Sequence, residues 1–246
     1  MKLRVMTYNV QSGFANGRKI HDYIPQAEHM ASYAPDVIAL QEVAIRHPHG
    51  KKIDYPALAA DFLKMNYVFA KALDYEDYFP GCDGCYGVAI LSKYPLKHIK
   101  SIMLPVPDEI EPRTALIVEV DAPVRFYMVC THLSFQGEFE NDADARVEQL
   151  QTVFKYLAEN NLYPAILAGD LNSQPQDDSI NALRAEFDVF NDNFCNESTA
   201  YSKKFGWVQI DYIAAAPQKR IKCENLFRGN DCTASDHYAI IADFEL

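Results

Sequence analysis

The stretch Ala165-Ile166-Leu167-Ala168-Gly169-Asp170-Leu171-Asn172 shows the pattern on which the chain is built. An apolar run too short for a helix ends at a glycine and opens onto a carboxylate and an amide, as a buried strand does where it reaches a polar rim. Gly169 lets a neighbouring backbone approach closely. Asp170 and Asn172, two residues apart, project from one face if the chain stays extended and can then bracket one ligand or water molecule. The same composition, Gly-Asp-Leu-Asn-Ser, also suits a turn or a helix cap.

Moving outward, other strand-like runs end in the same kind of side chain. Asn9 closes the run over 3–10, Glu42 follows Val37-Ile38-Ala39-Leu40-Gln41, and His132 follows the run over 126–131. Such convergence is what a site on one rim of a sheet requires. Asp211 stands inside Gln209-Ile210-Asp211-Tyr212-Ile213, where a carboxylate must find a partner to offset desolvation. His237, in Ser235-Asp236-His237 at the mouth of the last strand (238–244), is the available one. A carboxylate on one ring nitrogen fixes the tautomer and raises the basicity of the other. The alternatives for Asp211 are a structural salt bridge or a strand residue facing water. Asn9, Glu42, Asp170, Asn172 and Asp236 form a set of hard oxygen donors beside one imidazole, which favours Mg2+ or Mn2+ over zinc.

Further strands are expected over 67–73, 88–91 and 115–120. Helices are expected over 142–160, behind a polar start at Asn141-Asp142 with Val147, Leu150, Phe154 and Leu157 on one face; over 20–33, ending before Pro35; and over 56–64. The middle of the chain has no room for helices between its strands, so antiparallel pairing must occur there, whereas the early and late parts alternate helix and strand. That mixture implies an α/β protein with two sheets packed face to face and helices outside, in one domain spanning 1–246.

The chain has 246 residues, a formal net charge of -11 and 49% hydrophobic residues, enough for a sizeable core. An acidic surface argues against non-specific attraction to nucleic acid or anionic membranes. The N-terminus runs straight into a strand without the apolar region of a signal peptide, and no run has transmembrane length, so a soluble, cytoplasmic protein is expected. Cys82 and Cys85 have the C-x-x-C spacing of zinc or redox sites, but no partner motif follows and Gly81 and Gly84 mark a turn, so a plain loop is the expectation. The segment 46–52, with His47 and His49, reads as a solvated loop rather than a substrate grip. Tyr75, Tyr78, Phe79 and Tyr86 could stack on a base, sugar or lipid, although aromatic loop residues more often pack locally.

Taken in order, Thr7-Tyr8-Asn9-Val10, Leu40-Gln41-Glu42-Val43, Gly87-Val88-Ala89-Ile90-Leu91-Ser92, Thr131-His132-Leu133, Gly169-Asp170-Leu171-Asn172, Ile210-Asp211-Tyr212-Ile213 and Ser235-Asp236-His237 resemble the endonuclease/exonuclease/phosphatase superfamily over essentially the whole chain. The resemblance implies a DNase I-like four-layer α/β sandwich with the site at one end of the two sheets. It implies Glu42 as principal metal ligand with Asn9 and Asp236 beside it. Asp170 and Asn172 would position the attacking water and the phosphate, His132 and His237 would hydrogen-bond phosphoryl oxygens, and Asp211 would orient His237. Arg113 and Arg146 match positions common in the family as substrate-binding groups, Arg146 with the alternative of anchoring its helix to the site wall.

The implied activity is metal-dependent hydrolysis of a phosphate ester by in-line attack of water. Gln11 stands where abasic-site endonucleases usually carry Asp, and Thr131-His132-Leu133 where they have an Asn-containing loop, so the chain looks closer to the His-containing branches. A small-molecule or lipid-headgroup phosphate is expected as substrate ahead of DNA or RNA, and no protein partner is evident. Loops around 46–52, 75–86 and 134–141, which would select the substrate, match no branch. A nuclease is the alternative, and a catalytically silent scaffold ranks last because every expected site residue is present.

Overall fold

The structure, a computed structural model, describes residues 1–15, 17–106, 110–135, 145–192, 198–202, 206–230 and 233–246. The first part of the chain forms β1 (Lys2–Asn9), the short β2 (Phe14–Ala15) and β3 (Ile20–His21), α1 (Ile24–Ser32), β4 (Val37–Ile45), α2 (Tyr55–Leu63), β5 (Asn66–Asp74) and β6 (Cys85–Ser92). The remainder adds β7 (Leu96–Met103), β8 (Thr114–Val120), β9 (Phe126–His132), α3 (Ala145–Glu159), β10 (Ala165–Asp170), α4 (Asp178–Glu186), β11 (Asp188–Val189), β12 (Ala200–Ser202), β13 (Gly206–Val208), β14 (Asp211–Ala216), β15 (Lys222–Arg228) and β16 (Ile240–Glu245).

Two six-stranded sheets result, in the orders β15-β16-β1-β4-β6-β5 and β11-β14-β10-β9-β8-β7. Both are mixed: β1 runs parallel to β4 and β10 parallel to β9, and the other neighbours within the two sheets are antiparallel. The alternation of side chains along each strand divides the core into three apolar layers. Val5, Ile90, Val118, Met128, Ile166 and Phe244 meet between the sheets. On the outer face of the first sheet, Met6, Leu40 and Ile241 pack on Ala27 and Met30 of α1 and Ala59 of α2. On the outer face of the second, Ile117, Leu167 and Ala214 pack on Leu150 and Leu157 of α3 and Ile180 and Leu183 of α4. Helix, sheet, sheet and helix make the expected four layers.

Several boundaries differ from the sequence reading. α1 begins at Ile24, because Ile20 and His21 pair instead with Phe14 and Ala15. The start expected at Asn141-Asp142 lies outside the described residues, and the buried stripe of α3 includes Arg146 and Gln149 while Val147 is only half buried. Gln149 earns its place by hydrogen bonding: its Nε2 donates to Ser134 Oγ at 2.7 Å and to the Pro105 carbonyl at 3.0 Å, and its Oε1 accepts from the Ser134 amide at 3.1 Å. The strands β7 and β15 and the helix α4 have no counterpart in the expected elements. The two strands lie at or beside sheet edges with many exposed positions, so they carry no continuous apolar run.

Gly169 behaves as its position implies. A Cβ there would stand 2.1 Å from the carbonyl oxygen of Thr131, so no larger residue fits where β10 lies on β9. Cys130 links the sheets: its thiol donates to the Leu40 carbonyl and accepts from Gln41 Nε2, both at 3.3 Å.

Candidate active site

The sheet registers bring the polar strand ends together. Asp170 pairs with His132 across the parallel β10–β9 ladder and with Asp211 across the antiparallel β10–β14 ladder. Asn9 ends β1 on the facing sheet, and its Nδ2 reaches Asp170 Oδ2 at 3.0 Å and Glu42 Oε1 at 3.1 Å. Its Oδ1 accepts from the Gln11 amide at 3.0 Å, so Asn9 ties the two carboxylates together from behind the cleft.

Glu42 owes its direction to a bulge. The β4–β6 register slips between Leu40 and Val43, and Glu42 takes a φ of 52°, a left-handed conformation uncommon for a residue with a side chain. Asn172 also lies there, at 49°, where its amide is better tolerated. The Asn172 backbone N–H donates to Asp170 Oδ1 at 2.9 Å. The stretch after β10 is therefore a turn, and the turn itself delivers both side chains to the site.

Asp170, His132 and His237 form the centre. Asp170 Oδ2 stands 3.5 Å from His132 Nε2 and 3.7 Å from His237 Nε2. Asp211 Oδ2 accepts from His237 Nδ1 at 2.9 Å, the pairing expected from its place in an apolar strand. Although both rings are buried, their affinities for a proton are shifted in opposite directions. Burial works against a proton on His237, but the carboxylates of Asp211, Asp170 and Asp236 outweigh it and hold its pKa well above the ordinary value. Burial, reinforced by Arg113 and His237, holds His132 well below. Arg113 Nη1 is 3.4 Å and Tyr86 Oη 3.3 Å from His132 Nδ1, while Asn172 Nδ2 is 3.0 Å from Nε2. The Arg113 guanidinium beside Nδ1 disfavours a second proton on the ring. Asp170 is raised, first by burial and then by Asp211, with His237 and the Asn172 and Asn9 hydrogen bonds opposing.

Glu42, Arg113, His132, Asp170, Asn172, Asp236 and His237 line a cleft of about 520 Å³, with Asn9 and Asp211 immediately behind them. Arg146 is placed elsewhere: it is buried at the start of α3, 3.7 Å from Asp177, and does not line the cleft. Arg113 is buried and paired with Glu111. The roles of two residues escaped the sequence reading. Gln11 Nε2 donates to Asp236 Oδ2, and Ser235 Oγ donates to the Asn9 carbonyl at 2.7 Å, fixing the loop that carries Asp236 and His237. The available signals were proximity in sequence to Asn9 and to Asp236 and, for Gln11, its standing where abasic-site endonucleases carry Asp.

The histidine loop is not the solvated segment expected. His47 is half buried, its ring packed against Phe14 at 5.1 Å and Tyr75 at 5.3 Å, and it lines the cleft. Burial, then His21 and His49, lower its pKa to about 4. Tyr75, Tyr78, Phe79 and Tyr86 line the cleft as well, Tyr78 and Phe79 with exposed rings. Cys82 and Cys85 are free thiols. Among the described residues, Asp170, Asp211 and His237 are the one group of three or more His, Cys, Asp or Glu whose ligand atoms lie within 4.8 Å of one another.

The donor set fits a hard divalent cation beside that trio. Glu42 and Asp236 are close enough to disfavour a shared negative charge: burial and then Asp236 raise the Glu42 pKa, with His237, Asn9 and Arg113 opposing. Opposed carboxylates of this kind are what Mg2+ or Mn2+ takes as ligands. In the trio, Asp211 is already engaged with the ring it holds, and the His237 imidazolium is itself the cation.

Among the described residues no helix is long and apolar enough to cross a membrane. No curated protein matches the chain in sequence. Among solved structures, an endonuclease/exonuclease/phosphatase from Beutenbergia cavernae has a TM-score of 0.74 at 23% identity, covering 100% of this chain and 72% of that one. The human Nocturnin catalytic domain with bound sulfate gives 0.70 at 17% identity, covering 99% and 93%. D. rerio TDP2 complexed with a single-strand DNA product gives 0.66 at 21% identity, covering 100% and 99%. These likenesses show the DNase I-like fold. The model of the Endonuclease/Exonuclease/phosphatase family matches residues 6–237, and the chain belongs to that family of phosphoester hydrolases.

Proposed function

We propose that the protein hydrolyses a small or lipid-linked phosphate ester with the help of a divalent cation held by Glu42 and Asp236, water attacking phosphorus in line with the departing oxygen. The observation that carries this reading is the position of Asp170 Oδ2 between the Nε2 atoms of a cationic and a neutral histidine. A bound Mg2+ or Mn2+ would offset charge on the phosphate and on the leaving oxygen.

The chain's own groups supply the rest. Asp170, with its raised pKa, accepts a hydrogen bond from the attacking water and takes its proton. His237, kept charged by Asp211, donates from Nε2 to a phosphoryl oxygen, where negative charge grows in the transition state. His132 and Asn172 border the opposite side of the phosphate, with Arg113 adding positive charge behind His132. The net charge of -11 supports a small or headgroup substrate over polymeric nucleic acid.

Bis-p-nitrophenyl phosphate with Mg2+ or Mn2+ tests the reading. Hydrolysis is expected in the native protein and its loss in both Glu42→Ala and His237→Ala; activity persisting in either variant removes the site assignment.

A further inference from the structure

Beyond Glu42, β4 runs on to Ile45, and the chain then closes into a short loop. The Arg46 amide donates to the Ile53 carbonyl at 2.8 Å, and the Gly50 amide to the His47 carbonyl at 3.1 Å. The loop lies hard against β3, since a Cβ on Gly50 would stand 2.4 Å from the His21 ring. His47 is 5.8 Å from that ring and is packed between Phe14 and Tyr75. Burial raises the pKa of Tyr75, and Glu42 is among the nearby charges that add to it, so the His47 ring stands on the Glu42 side of the cleft.

His21 and His47 are held alike through one nitrogen. The Lys51 amide donates to His21 Nδ1 at 2.8 Å, and the His49 amide donates to His47 Nδ1 at 3.2 Å. A neutral imidazole that accepts at Nδ1 carries its hydrogen on Nε2. Burial, then His21 and His49, keep the His47 ring neutral. The two rings part company at the other nitrogen. His21 Nε2 donates inside the fold, to the Ser12 carbonyl at 3.1 Å. His47 Nε2 has no hydrogen-bond partner among the described residues, and its ring lines the cleft together with Ser12 and Arg18. A half-buried donor without an acceptor in the chain is a cost unless a ligand or water meets it.

In-line attack fixes which part of a substrate arrives there. With the attacking water at Asp170, the departing oxygen lies across phosphorus on the side of Glu42, and the arm it carries extends past Glu42 toward His47. We infer that the Nε2–H of His47 is a fixed hydrogen-bond donor to the leaving arm of the substrate and selects leaving groups with an acceptor oxygen beside the departing one. The inference rests on the phosphohydrolase reading above and adds to it a residue that reads the leaving arm. Held between Phe14 and Tyr75, the ring is ordered before the substrate arrives, so the contact costs little freedom.

Methyl 2-methoxyphenyl phosphate and methyl 2-ethylphenyl phosphate share the retained arm and release phenols of similar size and acidity. One has an ether oxygen beside the departing oxygen, and the other has a methylene there. In each, water adds to phosphorus, Asp170 takes its proton, the bond to the phenolic oxygen breaks, and the phenolate departs with its electron pair. The methoxy ester is expected to exceed the ethyl ester in kcat/KM by about fivefold, the worth of one neutral hydrogen bond. His47→Phe, which keeps a ring between Phe14 and Tyr75, should lose most of that preference. His47→Gln, whose amide nitrogen falls near the place of Nε2, should keep part of it. In the native protein, nitrogen NMR of the labelled chain should show the His47 hydrogen on Nε2, the signal being assigned by its absence from His47→Gln. Equal rates for the two esters, an undiminished preference in His47→Phe, or a His47 hydrogen on Nδ1 overturns the role of His47, as does hydrolysis of bis-p-nitrophenyl phosphate alone; in each case turnover of that diester leaves the hydrolase reading standing. Hydrolysis of none of the three overturns both.

Discussion

His237 and His132 stand on opposite sides of one carboxylate, at 7% and 5% exposure, yet the first is held charged and the second neutral. Burial pushes both the same way, so neighbours decide. His237 has the Asp211 carboxylate at 2.9 Å, with Asp170 and Asp236 near it. His132 has the guanidinium of Arg113 and the His237 cation itself. In a dry site the charge state of an imidazole is thus set by its charged neighbours, and each side can be broken separately.

The largest effect is expected from Asp211→Asn. The shape of the strand is kept, but the charge that stabilises the His237 cation is lost. A fall of about 10²–10⁴-fold in kcat is expected, by analogy with the loss of an orienting carboxylate in hydrolase triads. Asp211→Ala, which also leaves the ring unpaired in the interior, should cost about 3–5 kcal/mol of stability in urea denaturation. Near-native kcat in Asp211→Asn would mean that Asp170 and Asp236 alone keep His237 charged.

Arg113→Met attacks the other side. It removes a cation 3.4 Å from His132 Nδ1, so kcat/KM should fall about 10²-fold and the His132 pKa, followed by NMR, should rise. The sign of the pH dependence follows. With a folded-state pKa below the ordinary 6.5, the unfolded chain binds a proton that the folded chain refuses. Stability therefore falls as pH drops from 6.5 toward the folded value, by at most about 1.4 kcal/mol per pH unit from this one group. The acid loss should be shallower in Arg113→Met than in the native protein; an unchanged slope would assign the depression to burial and His237.

The same contrast explains what the sequence could disclose. Asp211 was legible because a carboxylate inside an apolar strand must have a partner, and His237 was the candidate at a neighbouring strand mouth. Asp170, His132 and Glu42 were legible because each follows an apolar run. The state of His132 was not, since it depends on burial and then on Arg113 and His237, which approach it from distant parts of the sequence. The bulge that aims Glu42 leaves no trace in hydrophobic periodicity beyond two polar residues in succession, Gln41 and Glu42. Gln11 reaches Asp236 over a separation in sequence that no local pattern spans. Arg146 matched a familiar position, but a matched position does not fix the direction of a side chain, and here it turns to Asp177.

Tyr86→Phe should give the smallest effect. The hydroxyl lies 3.3 Å from His132 Nδ1 and its removal leaves the ring volume unchanged. Loss of one buried neutral hydrogen bond costs about 0.5–1.5 kcal/mol, which denaturation midpoints can resolve, and a fall of about 2–5-fold in kcat/KM is expected. Because the hydroxyl carries no charge, burial and Arg113 still act on the imidazole, and His132 should remain neutral through pH 6–8 in its NMR titration. A His132 that titrates in that range would transfer the control of its charge from the guanidinium to the phenol, and the two sides of Asp170 would then differ by hydrogen bonding instead of by charge.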